Sequence, residues 1–274
     1  MDVDALYSKV AAAVSARGGE STVDVTREKV APAVTAQQLM EQYGEVSSAL
    51  TNASSSSSNR LNNIRLALSI INGKRIGPGE TFSFNGTVGQ RTTQRGFLLA
   101  GAYENGTSTE QVGGGICQVS TTLFNAAVKA DMTVVERSPH SKPVAYVDKG
   151  KDAAVDWPGT DLKFRNDSDQ PVYIAAWLSS DKRVHVNIYG RKLRDGMYIK
   201  VEAVTTKTIS PGADRITYTD SLPAGESKVV SAARYGYKAE AYKIYYTAGG
   251  QEIKRELLCR SSYAPAAAII EMGR

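Results

Sequence analysis

The chain is poor in the residue types most used as nucleophiles, bases and zinc ligands. Its 274 residues include only two cysteines and two histidines. Two distant cysteines do not form a disulfide framework, although the sequence leaves open a single disulfide between Cys117 and Cys259. Neither histidine lies at ligand spacing from the other, and the cysteines are not paired, so we expect no metal site. The chain also lacks a secretory signal and an apolar run long enough to span a membrane.

Charge of one sign is not concentrated anywhere in the chain. The net charge is +5, and the lysines and arginines are scattered, with no basic run beside aromatic residues. This distribution argues against nucleic-acid binding and is compatible with attraction to an anionic polymer. Dinucleotide fingerprints are absent, and the segment GGGICQ lacks the lysine of a phosphate loop. We therefore expect no cofactor.

The first 60 residues are predicted to contain a fragment and a linker. Helical spacing of apolar residues predicts a helix over Val3–Ala16, and alternation predicts a strand over Thr22–Val30. Because so short a segment cannot bury a core, we interpret residues 1–36 as the remnant of an upstream domain. Residues 37–60 are polar, include five consecutive serines and are interpreted as a mobile linker. We expect the chain to be an excised part of a longer protein whose targeting segment was removed.

Residues 61–193 are predicted to form a domain that mixes helices with antiparallel strands. Apolar periodicity, followed by Gly73, predicts a helix over Asn62–Asn72. Residues 134–192 are rich in strand patterns, and the segments VYIAAWL and VHVNIYG are typical of a hairpin.

Residues 194–274 have a different residue pattern, which predicts a second domain that is all-β. Polar residues alternate with apolar and aromatic ones, and Gly249-Gly250 lies between two such runs, which is a hairpin signal. The fold class is therefore α+β, with an extended β module at its C-terminal end.

The segment Val112–Ala130, VGGGICQVSTTLFNAAVKA, is the most informative part of the sequence. Three glycines precede Cys117, and the following apolar residues have helical spacing. A helix N-terminus favours an anion and lowers the pKa of a cysteine. The backbone N–H groups of Gly114 and Gly115 are candidates for binding an oxyanion. The alternative is a buried cysteine that only fills the core beside a flexible turn.

A thiol nucleophile needs a base, and His140 is the better of the two histidines. It lies 23 residues after Cys117, behind a Ser-Pro turn and ahead of a predicted strand, so the chain can return to the helix start. The alternative is a surface histidine in a turn. His185 alternates with inward-facing apolar residues in VHVNIYG and is interpreted as a solvated strand histidine.

Four aspartates follow His140, and one of them is expected to orient it. Asp152, ahead of a predicted strand, is the preferred candidate, and the alternative is that all four are solvated. Ser120 and Thr121, in the first helical turn, are expected either to donate to a substrate carboxylate or to cap the helix. Arg165 is expected to bind an acidic substrate or to form a surface ion pair. The other three carboxylates are Asp148, Asp156 and Asp161.

Long motifs give the chain a family resemblance. The segments NNIRLALSIINGKRIGPGETFSFNGTVGQRT, QVGGGICQVSTTLFNAAVKADMTVVERSPHSKPVAYV and GKDAAVDWPGTDLKFRN resemble the VanW domain of bacteria, over about residues 45–192. The segment GYKAEAYKIYYTAGGQEIKRELL resembles a G5 domain, a β module of bacterial surface proteins that is thought to bind polymers containing N-acetylglucosamine. Residues 1–36 resemble the end of a peptidoglycan-binding domain.

The resemblance implies an exported protein that acts at the cell wall. Some VanW-domain proteins are implicated as peptidoglycan L,D-transpeptidases with a cysteine nucleophile. That role carries over to Cys117 in the GGGICQ motif, and the role of base to His140 in the PHS motif. The more familiar L,D-transpeptidase family has a histidine just ahead of its cysteine, where this chain has Gly115 and Ile116.

Two functions follow from these observations. The first is a wall enzyme whose Cys117, His140 and Asp152 catalyse acyl transfer on peptidoglycan stem peptides. The second is a non-catalytic peptidoglycan- or glycan-binding surface protein. Both imply an extracytoplasmic location with peptidoglycan stem peptides and glycan strands as partners, and with membrane attachment only through a removed N-terminal anchor.

Overall fold

The computed structural model describes residues 3–16, 22–23, 36–104 and 107–274. The chain forms two compact units, residues 1–41 and 42–274. In the first, helix α1 (Val3–Ser15) confirms the predicted helix. Most of the strand predicted over Thr22–Val30 lies outside the described residues, and the interpretation of residues 1–36 as a domain remnant stays a prediction. Among the described residues, no helix is both long and apolar enough to cross a membrane.

The elements of the mixed domain follow in chain order. Helix α2 (Ala36–Gln42) lies at the end of the first unit. The mixed domain begins with β1 (Tyr43–Asn52), α3 (Ser58–Ile71), β2 (Arg75–Ile76), β3 (Thr81–Ser83) and α4 (Phe84–Val88). They are followed by β4 (Leu99–Glu104), β5 (Thr107–Val112), α5 (Ile116–Lys129), β6 (Thr133–Glu136), β7 (Lys163–Arg165), β8 (Val172–Leu178) and β9 (Arg183–Arg191).

These strands form small antiparallel sheets around two helices. The main sheet has the order β1-β9-β8-β2, a second has the order β3-β7-β6, and β4 pairs with β5. The pairing of β8 with β9 confirms the hairpin predicted from VYIAAWL and VHVNIYG. The predicted helix over 62–72 is confirmed as α3, which begins four residues earlier.

Helix α5 lies at the centre of the domain, and almost all of its residues are buried. It packs on β1 and β9, whose Val184, Val186 and Ile188 are buried in the same core. His185 lies on the opposite face of β9, as predicted, and its ring stacks on Trp177 with 4.9 Å between the ring centroids. Because apolar residues alternate in β9, one face joins the core and the other faces outward.

The prediction of a linker over residues 37–60 was wrong. Strand β1 and the start of α3 lie in this range, and β1 pairs with β9 from Tyr43 to Asn52. Two of its polar residues are buried and bond to α5: Ser47 Oγ donates to Ala126 O at 2.7 Å, and Thr51 Oγ1 lies 2.8 Å from Thr122 Oγ1. The run of five serines ends at Ser58, and the side chain of Ser57 accepts from the N–H of Arg60 and caps α3.

The C-terminal domain is all-β, as predicted. Its strands are β10 (Tyr198–Ile209), β11 (Arg215–Thr219), β12 (Ser227–Ser231), β13 (Gly236–Tyr246), β14 (Glu252–Tyr263) and β15 (Ile269–Gly273). They form two sheets with the orders β10-β13-β14 and β11-β15-β12. The antiparallel pair β13 and β14 confirms the hairpin predicted at Gly249-Gly250.

The end of β14 is hydrogen-bonded to the segment that carries His140. The hydroxyl of Tyr263 donates to Asp152 Oδ1 at 2.5 Å and accepts from the N–H of Gly150 at 2.6 Å. Arg137 Nη1 donates to Ser261 Oγ at 2.8 Å, and Ala264 N–H donates to the carbonyl of Ser141 at 3.0 Å. The C-terminal domain therefore supplies buried polar partners to the mixed domain.

The glycine loop before α5 is pressed against β4. A Cβ atom on Gly114 would lie 2.3 Å from the carbonyl oxygen of Ala100, which is closer than any real contact. Gly115 has φ +107 and Gly113 has φ +89, a backbone conformation that residues other than glycine rarely adopt. The loop thus needs glycine for both space and backbone conformation.

We expect Gly114→Ala to destabilise the fold by about 1–3 kcal/mol, because β4 and the loop must separate. Gly101→Ala is the matched control, since a Cβ there would meet no atom within 4 Å. Urea unfolding of both variants measures the difference. Equal midpoints for the two variants would contradict the packing described here.

We expect Tyr263→Phe to lower the free energy of unfolding by about 1–3 kcal/mol, because two buried polar groups lose a partner. Tyr242→Phe is the control, since its hydroxyl bonds to Glu240 Oε2 at 2.6 Å in the same domain but outside this contact. Chemical denaturation should leave the control within about 0.5 kcal/mol of the parent. A larger loss in the control would refute the special role of Tyr263.

Candidate active site

A cavity of about 660 Å³ opens beside the N-terminus of α5. The glycine loop and Cys117 form one wall of this cavity. Residues 139–141, which include His140, and residues 154–157 form further parts of the wall. The cavity therefore brings together segments that are well separated in the sequence.

Cys117 is the second residue of α5 and is half-buried. Gly115 forms the N-terminal cap of this helix, which places the thiol beside the positive end of the helix dipole. The Cys117 Sγ lies 3.3 Å from the carbonyl oxygen of Val155, to which a protonated thiol can donate. Cys117 and Cys259 are both free, so the disulfide left open by the sequence is absent.

His140 lies between Cys117 and Asp152 and is bonded to both. Its Nδ1 is 2.7 Å from Asp152 Oδ2, and its backbone N–H donates to the same oxygen at 2.7 Å. Since Nδ1 is occupied, Nε2 is the ring atom left for the hydrogen bond with Cys117. Only 12% of the His140 side chain is exposed. The structure thus brings Cys117, His140 and Asp152 into one chain of hydrogen bonds.

Asp152 is held by more groups than His140 alone. Its side chain is 1% exposed, and it receives Arg137 Nη2 at 3.0 Å and the Tyr263 hydroxyl at 2.5 Å. Arg137 and Tyr263 were not predicted as site residues. Tyr263 lies 111 residues away in a different domain, so no local motif could connect it with Asp152.

The electrostatics of this chain favour a charged thiolate and imidazolium. Burial raises the pKa of the Cys117 thiol, but the hydrogen bond and charge of His140 outweigh it, so the pKa lies below its usual value. Burial also opposes a charged imidazole, yet the bonds to Asp152 and Cys117 raise the pKa of His140 to about 9. Asp152 stays ionised, because the bonds from His140 and Tyr263 outweigh burial and lower its pKa.

The predicted oxyanion donors differ in their availability. Gly114 N–H donates to Gln111 O at 3.1 Å, and Ile116 N–H donates to Gly113 O at 3.3 Å. The prediction that the N–H of Gly114 binds an oxyanion was therefore wrong, and Gly114 instead packs against β4. Within the described part of the chain, the N–H groups of Gly115 and Cys117 have no hydrogen-bond acceptor. These two groups remain available to an anion beside the thiol.

The structure does not support Ser120, Thr121 and Arg165 as substrate-binding residues. Ser120 and Thr121 are fully buried, and both hydroxyls donate to the carbonyl of Ala153, at 2.6 Å and 3.3 Å. They fasten α5 to the segment that carries Asp152, so their side chains do not face the cavity. Arg165 is exposed and pairs with Asp167, which agrees with the surface alternative.

The four aspartates after His140 have four different environments. Asp148 is exposed and pairs with Lys151, whereas Asp161 is buried and accepts from Ser83 Oγ at 2.6 Å. Asp156 lines the cavity, and only Asp152 contacts His140. The alternative that all four are solvated was wrong, because Asp152 and Asp161 are buried.

Sequence reasoning also missed several large side chains that line the cavity. They include Arg60, Arg91, Tyr146 and Trp157. Tyr146 is hydrogen-bonded to Thr121, and burial together with the charge of Cys117 raises its pKa, so it stays a neutral phenol. Among the described residues, no group of three or more histidine, cysteine or carboxylate side chains is placed to hold a metal ion.

Comparisons with known proteins agree with the division into a mixed domain and a C-terminal all-β domain. Residues 59–189 match the family model described as VanW like protein, and residues 194–274 match the G5 domain. The chain is 40% identical over 162 residues to the uncharacterized protein YoaR of Bacillus subtilis, covering 58% of this chain and 52% of that protein. It is 32% identical over 146 residues to the vancomycin B-type resistance protein VanW of Enterococcus faecalis, covering 51% of this chain and 52% of that protein.

The chain spans about half the length of the curated relatives it matches. Among solved structures, the G5 domain of IgA1 protease matches at 26% identity with a TM-score of 0.22, covering 28% of this chain and 89% of that structure. The chain therefore consists, over the matched residues, of a VanW-like domain followed by a G5 domain.

Proposed function

We propose that the protein is a cell-wall enzyme of the L,D-transpeptidase type, with Cys117 as nucleophile. The observation that carries the proposal is the chain of hydrogen bonds from Cys117 through His140 to Asp152 at the edge of the cavity. A low thiol pKa, a base within hydrogen-bond reach and a third group that orients the base are the features of an activated nucleophile.

The reaction begins with attack of the Cys117 thiolate on the carbonyl of an L-residue in a stem peptide. A carbon–sulfur bond forms, the carbon–nitrogen bond breaks, and His140 gives its proton to the departing D-amino acid. The amine of a second stem peptide then attacks the thioester. His140 takes the proton from this amine, an amide cross-link forms, and the thiolate is regenerated; water as the acceptor gives carboxypeptidase activity.

The developing oxyanion needs donors that are already in place. The N–H groups of Gly115 and Cys117 lie at the N-terminus of α5 and carry no other hydrogen bond among the described residues. Donors of this kind stabilise a tetrahedral intermediate by about 2.7–4 kcal/mol each. In this proposal the glycine loop therefore serves the chemical step as well as the fold.

The domain composition supports the same setting. A VanW-like domain followed by a G5 domain favours a protein associated with the bacterial cell wall, outside the cytoplasm. In this proposal the G5 domain binds glycan strands, and the VanW-like domain acts on the stem peptides attached to them.

We expect a disaccharide-tetrapeptide to acylate Cys117, with release of the terminal D-amino acid. Intact-mass spectrometry detects the added acyl group, and Cys117→Ala should abolish it. Because proton transfer to the leaving group needs charged His140, the rate should fall above about pH 9. Exchange of the terminal D-amino acid by Cys117→Ala at the rate of the parent would rule out the proposed mechanism.

We expect iodoacetamide to alkylate Cys117 at pH 7 at least about tenfold faster than Cys259, because their thiol pKa values are shifted in opposite directions. The pKa of Cys259 is raised by burial. Asp152→Asn removes a group that raises the pKa of His140, so the alkylation midpoint of Cys117 should move to higher pH. Asp148→Asn, at an exposed carboxylate, should leave it unchanged.

Peptide mapping after timed labelling separates the two cysteines. His140→Gln should shift the midpoint in the same direction as Asp152→Asn, and it keeps Asp152 and Arg137 paired. Alkylation of Cys117 only after denaturation would favour the alternative of a non-catalytic wall-binding protein.

A further inference from the structure

Arg91 is a half-buried cation that lines the cavity and has one donor without a partner. Among the side-chain nitrogen and oxygen atoms that are buried in the described ranges, only Arg91 Nη1 has no hydrogen-bond partner. Arg91 lines the same cavity as Cys117 and His140. Buried polar groups are nearly always bonded, so each exception calls for an explanation.

The guanidinium of Arg91 is held in place by its other contacts. Its Nη2 donates to Asn85 Oδ1 at 2.7 Å, and its Cζ lies 5.7 Å from the centre of the Phe84 ring. Asn85 is itself fixed, because its amide donates to the carbonyls of Asp156 and Thr160. The position of Arg91 is therefore set by α4 and the loop before β7, before any ligand binds.

The stem of Arg91 also supports the glycine loop. A Cβ atom on Gly113 would lie 2.9 Å from Arg91 Cβ, so the backbone of the loop rests directly on this side chain. The loop continues into Cys117 four residues later. Arg91 and the thiol thus belong to the same wall of the cavity.

Arg91 forms no ion pair with a carboxylate in the described part of the chain. Asp161 is occupied by Ser83 Oγ and by the N–H groups of Asn85 and Leu162. Asp156 attracts Arg91 at longer range, while its Oδ1 accepts from the N–H of Trp157. Burial lowers the pKa of Arg91, although the charges of Cys117, Asp161 and Asp156 oppose this effect, and a bound anion would oppose it further.

We propose that Arg91 forms a carboxylate subsite beside Cys117, and that the acyl donor is a peptide with a free C-terminal carboxylate. This inference rests on the proposed function. In such a peptide the carboxylate of the last residue is separated from the scissile nitrogen by a single carbon. A peptide bond in the interior of a chain has no charge at that place, so the subsite selects release of one terminal residue.

The guanidinium suits this ligand because its planar fork matches a carboxylate and makes charge-assisted hydrogen bonds. Arg60 adds a second positive charge to the cavity wall, and its Nη1 donates to Gln118 Oε1 at 2.9 Å. The same wall also carries the negative charges of Asp156 and of the Cys117 thiolate, and the thiolate is paired with His140.

Binding to full-length Cys117→Ala protein tests the subsite without the chemical step. An N-acetylated stem tetrapeptide is compared with the same peptide carrying a C-terminal amide, by calorimetry at pH 7. We expect the acid to bind at least about tenfold more tightly than the amide. Adding Arg91→Gln should lower the affinity for the acid to that for the amide and leave the affinity for the amide unchanged. Arg91→Lys should recover part of the affinity for the acid.

Arg95→Gln is the matched control. Arg95 belongs to the same connection between α4 and β4, and its guanidinium lies over Phe97, outside the cavity lining. This variant should keep the preference for the acid. Equal binding of acid and amide, an equal loss of both on replacing Arg91, or no binding of either peptide would overturn the subsite.

Acylation of the protein with Cys117 intact separates this inference from the proposed function. A preference for binding the acid without any acyl adduct would refute the catalytic proposal and leave the subsite standing. An adduct that forms equally fast from acid and amide would refute the subsite and leave the catalytic proposal standing. If Arg91→Gln fails to fold by circular dichroism, Arg91→Lys and the comparison of acid with amide decide the outcome.

Discussion

The buried carboxylate of Asp152 is the constraint on which the candidate site depends. It is bonded to Arg137 and His140, which belong to one segment, and to Tyr263 at the end of β14. Burying a charge is costly unless it is paired and hydrogen-bonded, and removing one member of a buried ion pair typically costs about 3–5 kcal/mol. The carboxylate can therefore be buried only when residues 137–140 and the end of β14 are both in place, and their assembly also fixes the ring of His140.

A second constraint places the thiol at the other end of the same chain of hydrogen bonds. The glycine loop packs against β4 and leads into α5, so Cys117 cannot shift without moving the central helix of the domain. Ser120 and Thr121 bind the backbone of Ala153, next to Asp152. The helix that carries the thiol and the segment that carries the carboxylate are thus joined directly, and His140 lies between two fixed points.

The sequence predicts the parts of this site that are encoded locally. A glycine loop, a cysteine and a helix are adjacent in the chain, and with only two histidines the choice of His140 needed little further information. Asp152 could be preferred among four aspartates only by its place before a strand. Tyr263 and Arg91 could not be found in this way, because their roles come from contacts between segments distant in sequence.

The main errors came from equating polarity with exposure. Residues 37–60 looked like a linker, but Ser47 and Thr51 of β1 are buried because α5 offers them hydrogen-bond partners. Ser120 and Thr121 looked available to a ligand for the same reason. Alternation of apolar residues was more reliable, since the β8–β9 and β13–β14 hairpins follow directly from it.

The contact between Tyr263 and Asp152 limits how the two domains can be recombined. A G5 domain transferred from another protein would restore the β sheets, but it would give Asp152 its second buried donor only if its last long strand ended in a phenol at the same place. The boundary near residue 194 therefore separates two folds but is crossed by the hydrogen bonds that keep Asp152 buried. A chimera joined there would need a matching partner for this carboxylate.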